Sequence, residues 1–277
     1  MSVDHYENFP VASVLCPPRI RPAVVAIYHY ARTADDLADE GQARAEQRLS
    51  DLAAYRRDLQ AMLACAAPSA RWPAVFAALA SSVRDHQLPA QQLHALLDAF
   101  EQDVRKPLYD DRASLLAYCA LSANPVGRLL LHLYGMADST ALQRSDAICS
   151  ALQLINFWQD LGVDGPRGRH YVPAADLARY GVSADALQQG TDSPAARALV
   201  QDLCSWARSL MLQGAPLALQ LPGRAGWELR RVVQGGLLIL DKIARMNHAV
   251  LLQRPKLTAF DIPTLLWRAA HMPAALR

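Results

Sequence analysis

The 277-residue chain sets 28 Lys and Arg against 26 Asp and Glu, a net charge of +2. So close a balance lacks the basic footprint that nucleic acid demands, and no nucleic-acid partner is expected. Hydrophobic residues make up 52% and charged ones 19%, which excludes a disordered chain and allows a sizeable core.

In chain order, the opening "MSVDHYENFP" has early charges and no apolar stretch, so no secretory signal is expected. No run of 18 apolar residues follows, so no membrane-spanning helix is expected; peripheral membrane contact stays open. Cys16, Cys65, Cys119, Cys149 and Cys204 are odd in number, widely spaced and without a C-x-x-C pair. That pattern speaks against a disulfide framework or a zinc site and fits a reducing cytoplasm.

Helical periodicity runs through nearly every long segment, and alternating strand patterns are absent. "CPPRIRP" opens a first helix over about Ile20 to Asp39. "RLSDLAAYRRDLQAMLACA", "WPAVFAALASSVRDHQ" and "PAQQLHALLDAFEQDVRK" predict the next three, closed or opened by Pro68 and Pro89. "DRASLLAYCALSA" and "PVGRLLLHLYGM" are two helices or one helix kinked at Pro125. "TALQRSDAICSALQLINFWQDLGVD" is a long helix, and "GPRGRHYVP" a loop. Helices resume near Ala184 and continue in "SPAARALVQDLCSWARSLMLQGAP" and "GWELRRVVQGGLLILDKIARMNHAVL". The paired glycines of "VQGGLLIL" are expected to permit close helix packing. With no repeat and no linker, the expectation is one all-α domain over residues 1–277, its helices packed around a shared interior.

Two groups of acids interrupt this apolar pattern. In "ARTADDLADE", Asp35 and Asp39 stand i, i+4, a spacing at which like charges repel by roughly 0.2–0.5 kcal/mol. On a helical wheel, Val24, Tyr28, Ala31, Asp35 and Asp39 form one stripe, so the aspartates are expected to continue an inward-facing row. Asp36 lies at its edge, and Arg32 reaches Asp35 or Asp36 by spacing. Farther on, Gln153, Asn156, Asp160 and Asp164 form a second stripe on a helix otherwise apolar nearly all round, the pattern of a buried helix whose polar row points into an interior cavity. Buried carboxylates are costly unless paired or bound to metal. Mg²⁺ takes one or two carboxylates and fills its shell with water and phosphate oxygens. Two such stripes therefore suit several Mg²⁺ around one diphosphate, with the repulsion relieved on loading and the metals promoting C–O ionisation. Arg32 and Arg169 are candidates for direct phosphate contacts.

These residues resemble the squalene/phytoene synthase family of head-to-head prenyl synthases, in particular its hydroxysqualene-forming bacterial branch. "DHYENFPVAS", "AIYHYARTADDLADE", "YCALSANPVGRLLLHLYG", "QLINFWQDLGVDGPRGRHYVP" and "RPKLTAFDIPTLLWRA" occur in family order. "HYENFPVAS" and "SANPVGR" are the most specific. The resemblance implies an all-α isoprenoid synthase fold with a central hydrophobic cavity and roughly two to three Mg²⁺ on bound diphosphate. It assigns Asp35, Asp39, Asp160 and Asp164 to the metals, with Asn156 alongside and Asp36 assisting. It places Tyr28, Arg32, Gln153, Asn156, Arg169 and Tyr171 at the diphosphate, His5, Asn8 and Phe9 in a segment closing over it, and Tyr118 near the reacting carbons. The implied substrate is presqualene diphosphate or farnesyl diphosphate. The implied neighbours in the reaction sequence are a presqualene diphosphate synthase and a hydroxysqualene reductase.

Three positions depart from the family pattern: Val163 stands where a Glu is common in the second motif, Gln159 where an Arg precedes it, and Leu108 where an Arg precedes Tyr109. Fewer phosphate ligands fit an enzyme handling one diphosphate at a time, such as one that turns presqualene diphosphate and water into hydroxysqualene. No hydride enters that reaction, and no G-x-G-x-x-G follows a strand, so NADPH is not expected. The rivals are a relative making presqualene diphosphate, squalene or phytoene; a terpene cyclase, which "DDLAD" also satisfies; and a non-catalytic helical relative. Trp158 is expected in the core. Phe157 is either core or a ring face offered to a carbocation.

Overall fold

The computed structural model describes residues 16–105 and 108–275; His5, Asn8 and Phe9 lie outside the described residues. Thirteen α-helices follow one another, and no strand occurs among the described residues. They are α1 (Arg21–Asp39), α2 (Ala45–Leu63), α3 (Pro73–His86), α4 (Ala90–Arg105), α5 (Arg112–Ser122), α6 (Asn124–Leu133), α7 (Ser139–Asp164), α8 (Ala174–Tyr180), α9 (Ala184–Gln188), α10 (Pro194–Gly214), α11 (Leu217–Gln220), α12 (Gly223–Arg245) and α13 (Ile262–Ala275). The all-α class is as the periodicity predicts. The α5 and α6 segments are separate helices, because Pro125 in the first turn of α6 has no N–H with which to continue α5. Two helices differ from expectation. α8 forms between the predicted loop and Ala184, where no helix is expected, and α13 forms where periodicity gave no signal.

The chain divides into two compact units, Met1–Pro107 with Ala120–Asp138, and Leu108–Cys119 with Ser139–Arg277. In the first, α1 starts at a proline in its first turn, where a missing N–H costs nothing. Its buried row is Ile27, Tyr30, Ala34 and Ala38. Tyr30 donates its hydroxyl to the Leu93 carbonyl of α4 at 3.0 Å, and Tyr55 of α2 donates to the Tyr30 carbonyl at 3.1 Å. The two rings stack at 5.4 Å, and Phe76 of α3 closes on Tyr55 at 4.9 Å. These buried tyrosines thus tie the helix that carries the first acidic stripe to three neighbours. Burial pushes both the Tyr30 and the Tyr55 hydroxyl well above the usual range, so both stay protonated as donors.

In the second unit α7 is the longest helix, 26 residues or about 39 Å. Ile148, Ala151, Leu154, Ile155, Trp158 and Leu161 are buried along it, so Trp158 is core as expected. α10 packs along α7 at Gly214, and α12 at Gly236, where a Cβ would meet Met211, Ile155 and Leu152. At Gly236, then, the glycine serves packing, as "VQGGLLIL" suggests. α8 is held from afar: Arg112 reaches the buried Asp176 through two donors, at 2.9 Å each to separate oxygens, and Asp202 at 2.6 Å. α12 ends at Arg245, and Asn247 and His248 turn the chain with positive φ of 51° and 60°. The segment that follows lies against the end of α7. There a Cβ on Gly162 would stand 2.9 Å from the Leu251 carbonyl oxygen, so only glycine fits.

Candidate active site

The first acidic stripe sits about 90° round α1 from the centre of its buried row, counting 100° per residue. This corrects the inward placement expected of Asp35 and Asp39. Val24 is buried, but Tyr28, Ala31 and Asp35 are half-buried, and Asp39 is exposed. The Asp35 side chain keeps 38% of its surface and that of Asp36 keeps 46%. The stripe is therefore a wettable flank beside the core, open to an incoming ligand.

Nor does its repulsion wait for a metal. Arg32 binds Asp35 at 2.9 Å, Asp36 at 2.8 Å and Glu40 at 3.1 Å. One guanidinium thus partly neutralises three of the four acids. Burial opposes the charge on Arg32, but Asp35, Asp36 and Glu40 override it and push its pKa up.

The second stripe has the same construction. Gln153 is half-buried and Asn156 exposed, while Asp160 and Asp164 keep 24% and 14% of their side-chain surface. The stripe is the open strip of a helix whose other sides are largely buried. Arg254 pairs with Asp160 through two nitrogens, the second at 3.1 Å. Arg169 stands 3.8 Å from Asp164. Next to Asp160, Gln159 is fully buried and donates to the Pro255 carbonyl at 2.6 Å. A Gln in place of an Arg here thus seats the segment carrying Arg254 and turns away from the stripe. Leu108 is largely exposed and Val163 partly so, so neither supplies an anion contact.

Beside this stripe lies a group of rings. Phe157 and Tyr171 stack face to face at 3.7 Å and 6°, and Tyr118 lies 6.2 Å and 6.1 Å from them. Tyr109 joins Tyr118 at 5.6 Å and Tyr171 at 6.3 Å. Tyr109, Tyr118 and Phe157 are buried, and Tyr171 is half-buried. Such rings offer negative π faces in a dry setting, where attraction for a cation reaches about 2 kcal/mol or more. Local spacing carries no sign of Arg254 or Tyr109 as members of the group. Arg254 is 94 residues from its partner, and its only signal is its place in the "RPKLTAFDIPTLLWRA" block.

Among the described residues no three of His, Cys, Asp and Glu come close enough to cage a cation unaided. Mg²⁺ needs no such cage, since it retains waters and shares substrate oxygens. The donor set fits it: hard carboxylate oxygens, partly open, each stripe next to arginines suited to phosphate.

A model of the squalene/phytoene synthase family matches residues 3–261. The chain belongs to that family. Among curated squalene/phytoene synthase relatives, a hydroxysqualene synthase from Rhodopseudomonas palustris is 35% identical over 87% of this chain and 79% of its own. A presqualene diphosphate synthase from the same organism is 32% identical over 64% of this chain and 62% of its own. Among solved members, the crystal structure of squalene synthase HpnC from Alicyclobacillus acidocaldarius superposes with a TM-score of 0.81 at 34% identity, over 89% of this chain and 91% of that one. The family relationship makes this chain an isoprenoid synthase that acts on prenyl diphosphates.

Proposed function

We propose that this enzyme converts presqualene diphosphate and water into hydroxysqualene and diphosphate, with Mg²⁺ bound. The arrangement that carries the proposal is the pairing of carboxylates with guanidinium groups on both stripes. Arg32 stands among Asp35, Asp36 and Glu40, and Arg254 and Arg169 stand beside Asp160 and Asp164. Bound Mg²⁺ neutralises the departing diphosphate and so favours C–O ionisation. Asp35, Asp36, Asp39, Asn156, Asp160 and Asp164 would hold it, and Arg32, Arg169 and Arg254 would contact the phosphate oxygens. Tyr28 and Gln153 orient the same end of the substrate. The C–O bond breaks with its electron pair leaving on diphosphate. The rings of Tyr109, Tyr118, Phe157 and Tyr171 favour the remaining carbocation. Water adds to the rearranged cation and loses a proton, giving the alcohol. The electrons balance without a reductant, so no NADPH is required.

The relationship to hydroxysqualene synthases supports this choice, as do Leu108, which stands where an arginine could have bound phosphate, and Val163, which stands where a carboxylate could have held a further metal. Head-to-head condensation of two farnesyl diphosphates is the second reading, favoured by the presqualene diphosphate synthase match. Ligand binding is tested by thermal melting. A non-hydrolysable prenyl diphosphate analogue at about 100 times its Kd stabilises by about 2.7 kcal/mol. At this chain length that raises the Tm by roughly 5–10 °C. The rise is expected with Mg²⁺ and lost with EDTA; equal shifts in both would sink the metal assignment.

A further inference from the structure

After α12 the chain doubles back over the end of α7 as a strap, residues 249–257, with no helix of its own. The strap is held at three points. Gly162 of α7 admits its backbone, where the carbonyl oxygens of Leu251 and Val250 would stand 2.9 Å and 3.0 Å from a Cβ. Gln159, three residues earlier and so on the same face of α7, donates its side-chain amide to the Pro255 carbonyl at 2.6 Å. Lys242 of α12 donates to the Lys256 carbonyl at 2.9 Å. Between these anchors the strap presents Arg254, whose guanidinium pairs with Asp160 through two nitrogens.

The Gln159 bond differs from the other two anchors in its place. Gln159 is the neighbour of Asp160 on α7, and Pro255 is the neighbour of Arg254 on the strap. Both are buried, while Arg254 and Asp160 stay partly open. The bond therefore joins the two segments directly beside the ion pair. Pro255 has no N–H, so its carbonyl is the one backbone group it can fasten, and proline biases Arg254 toward extended backbone. A buried carbonyl left without a donor is costly, so the strap has a single seat. An arginine on an unheld strap loses backbone and rotamer freedom when it meets an anion; one already held loses less. The neutral amide achieves this without adding a charge to the row of Asp160 and Asp164.

We propose that Gln159 is a positioning residue for diphosphate binding: through the Pro255 carbonyl it fixes Arg254 beside Asp160, ready for a phosphate oxygen. This rests on the reading that Arg254 contacts the substrate's diphosphate, and not on which prenyl chain that diphosphate carries. Its test is calorimetric titration of the full chain with inorganic pyrophosphate in the presence of Mg²⁺. Arg254→Ala should weaken binding about tenfold, the loss of one charge-assisted contact. Gln159→Met keeps the length of the side chain and removes the donor; it should weaken binding about threefold or more, although it touches no phosphate. In the double variant the two losses should not multiply: its affinity stays within a factor of about two of Arg254→Ala alone, because Gln159 acts through Arg254. Gly162→Ala displaces the strap without altering Gln159 and carries the same test should Gln159→Met fail to fold, with the same loss expected only while Arg254 is present. Unchanged pyrophosphate affinity in the folded variant, with only a lower Tm, would make the Gln159 bond a fold contact. Multiplied losses in the double variant would place its effect elsewhere. Either result overturns the proposal and leaves the diphosphate reading intact. Pyrophosphate affinity unaffected by Arg254→Ala would overturn that reading, and the proposal with it.

Discussion

Asp35→Asn and Asp160→Asn are each expected to lower kcat by about 10³ or more, the equivalent of about 4 kcal/mol of lost metal-assisted stabilisation. Asn keeps the shape and loses the anionic oxygen that a hard cation requires. The fold should survive both changes. Asp35 and Asp160 lie in partly exposed ion pairs with Arg32 and Arg254, and such pairs contribute only about 1 kcal/mol or less. Arg32 would retain Asp36 and Glu40. Steady-state turnover beside circular dichroism checks this. Near-normal activity in both variants would mean that neither stripe holds a catalytic metal. Asp36→Asn is the informative companion: a bystander that only pairs with Arg32 changes kcat little, whereas a ligand follows Asp35.

A large expected loss of stability lies away from the acids, at Gly214→Ala. A Cβ there would stand 2.5 Å from both the carbonyl oxygen of Arg144 and Cγ1 of Ile148. The carbonyl belongs to the backbone of α7 and cannot swing aside as a side-chain end can. Overpacking costs about 1–3 kcal/mol, and a backbone clash between α7 and α10 belongs at the upper end. About 3 kcal/mol corresponds to a fall in Tm of roughly 6–12 °C at this chain length. Gly135→Ala is the control. Gly135 has a positive φ of 73°, and a Cβ there would meet nothing within 4 Å, so only local strain of about 1–2 kcal/mol applies. Calorimetry on the two variants separates packing from strain, and equal losses would contradict the packing assignment at Gly214.

The long helices were legible because apolar residues recur at helical spacing and prolines mark their starts. α8 was not, since seven residues carry little periodicity and its buried Asp176 depends on Arg112, 64 residues away. α13 escaped for the opposite reason. Its apolar residues run round the helix, so no dry face contrasts with a wet one. Both acidic stripes are legible as stripes in the sequence, but the orientation of the first is not. Ala34 and Ala38, small and only weakly hydrophobic, mark the true core row of α1, while Val24 and Tyr28 drew the expected row about a quarter-turn aside. Arg254 lay beyond any local pattern, because what seats it is the Gln159 bond to Pro255. Gln159 itself reads as a lost arginine in the sequence and as a buried structural amide in the fold.

The most direct test of the proposed reaction supplies presqualene diphosphate and farnesyl diphosphate in separate incubations, each with Mg²⁺ and without reductant, and identifies the products. Hydroxysqualene from presqualene diphosphate, and no condensation product from farnesyl diphosphate, is the predicted result. Presqualene diphosphate, or a longer hydrocarbon, formed from farnesyl diphosphate while presqualene diphosphate stays unconverted would contradict it.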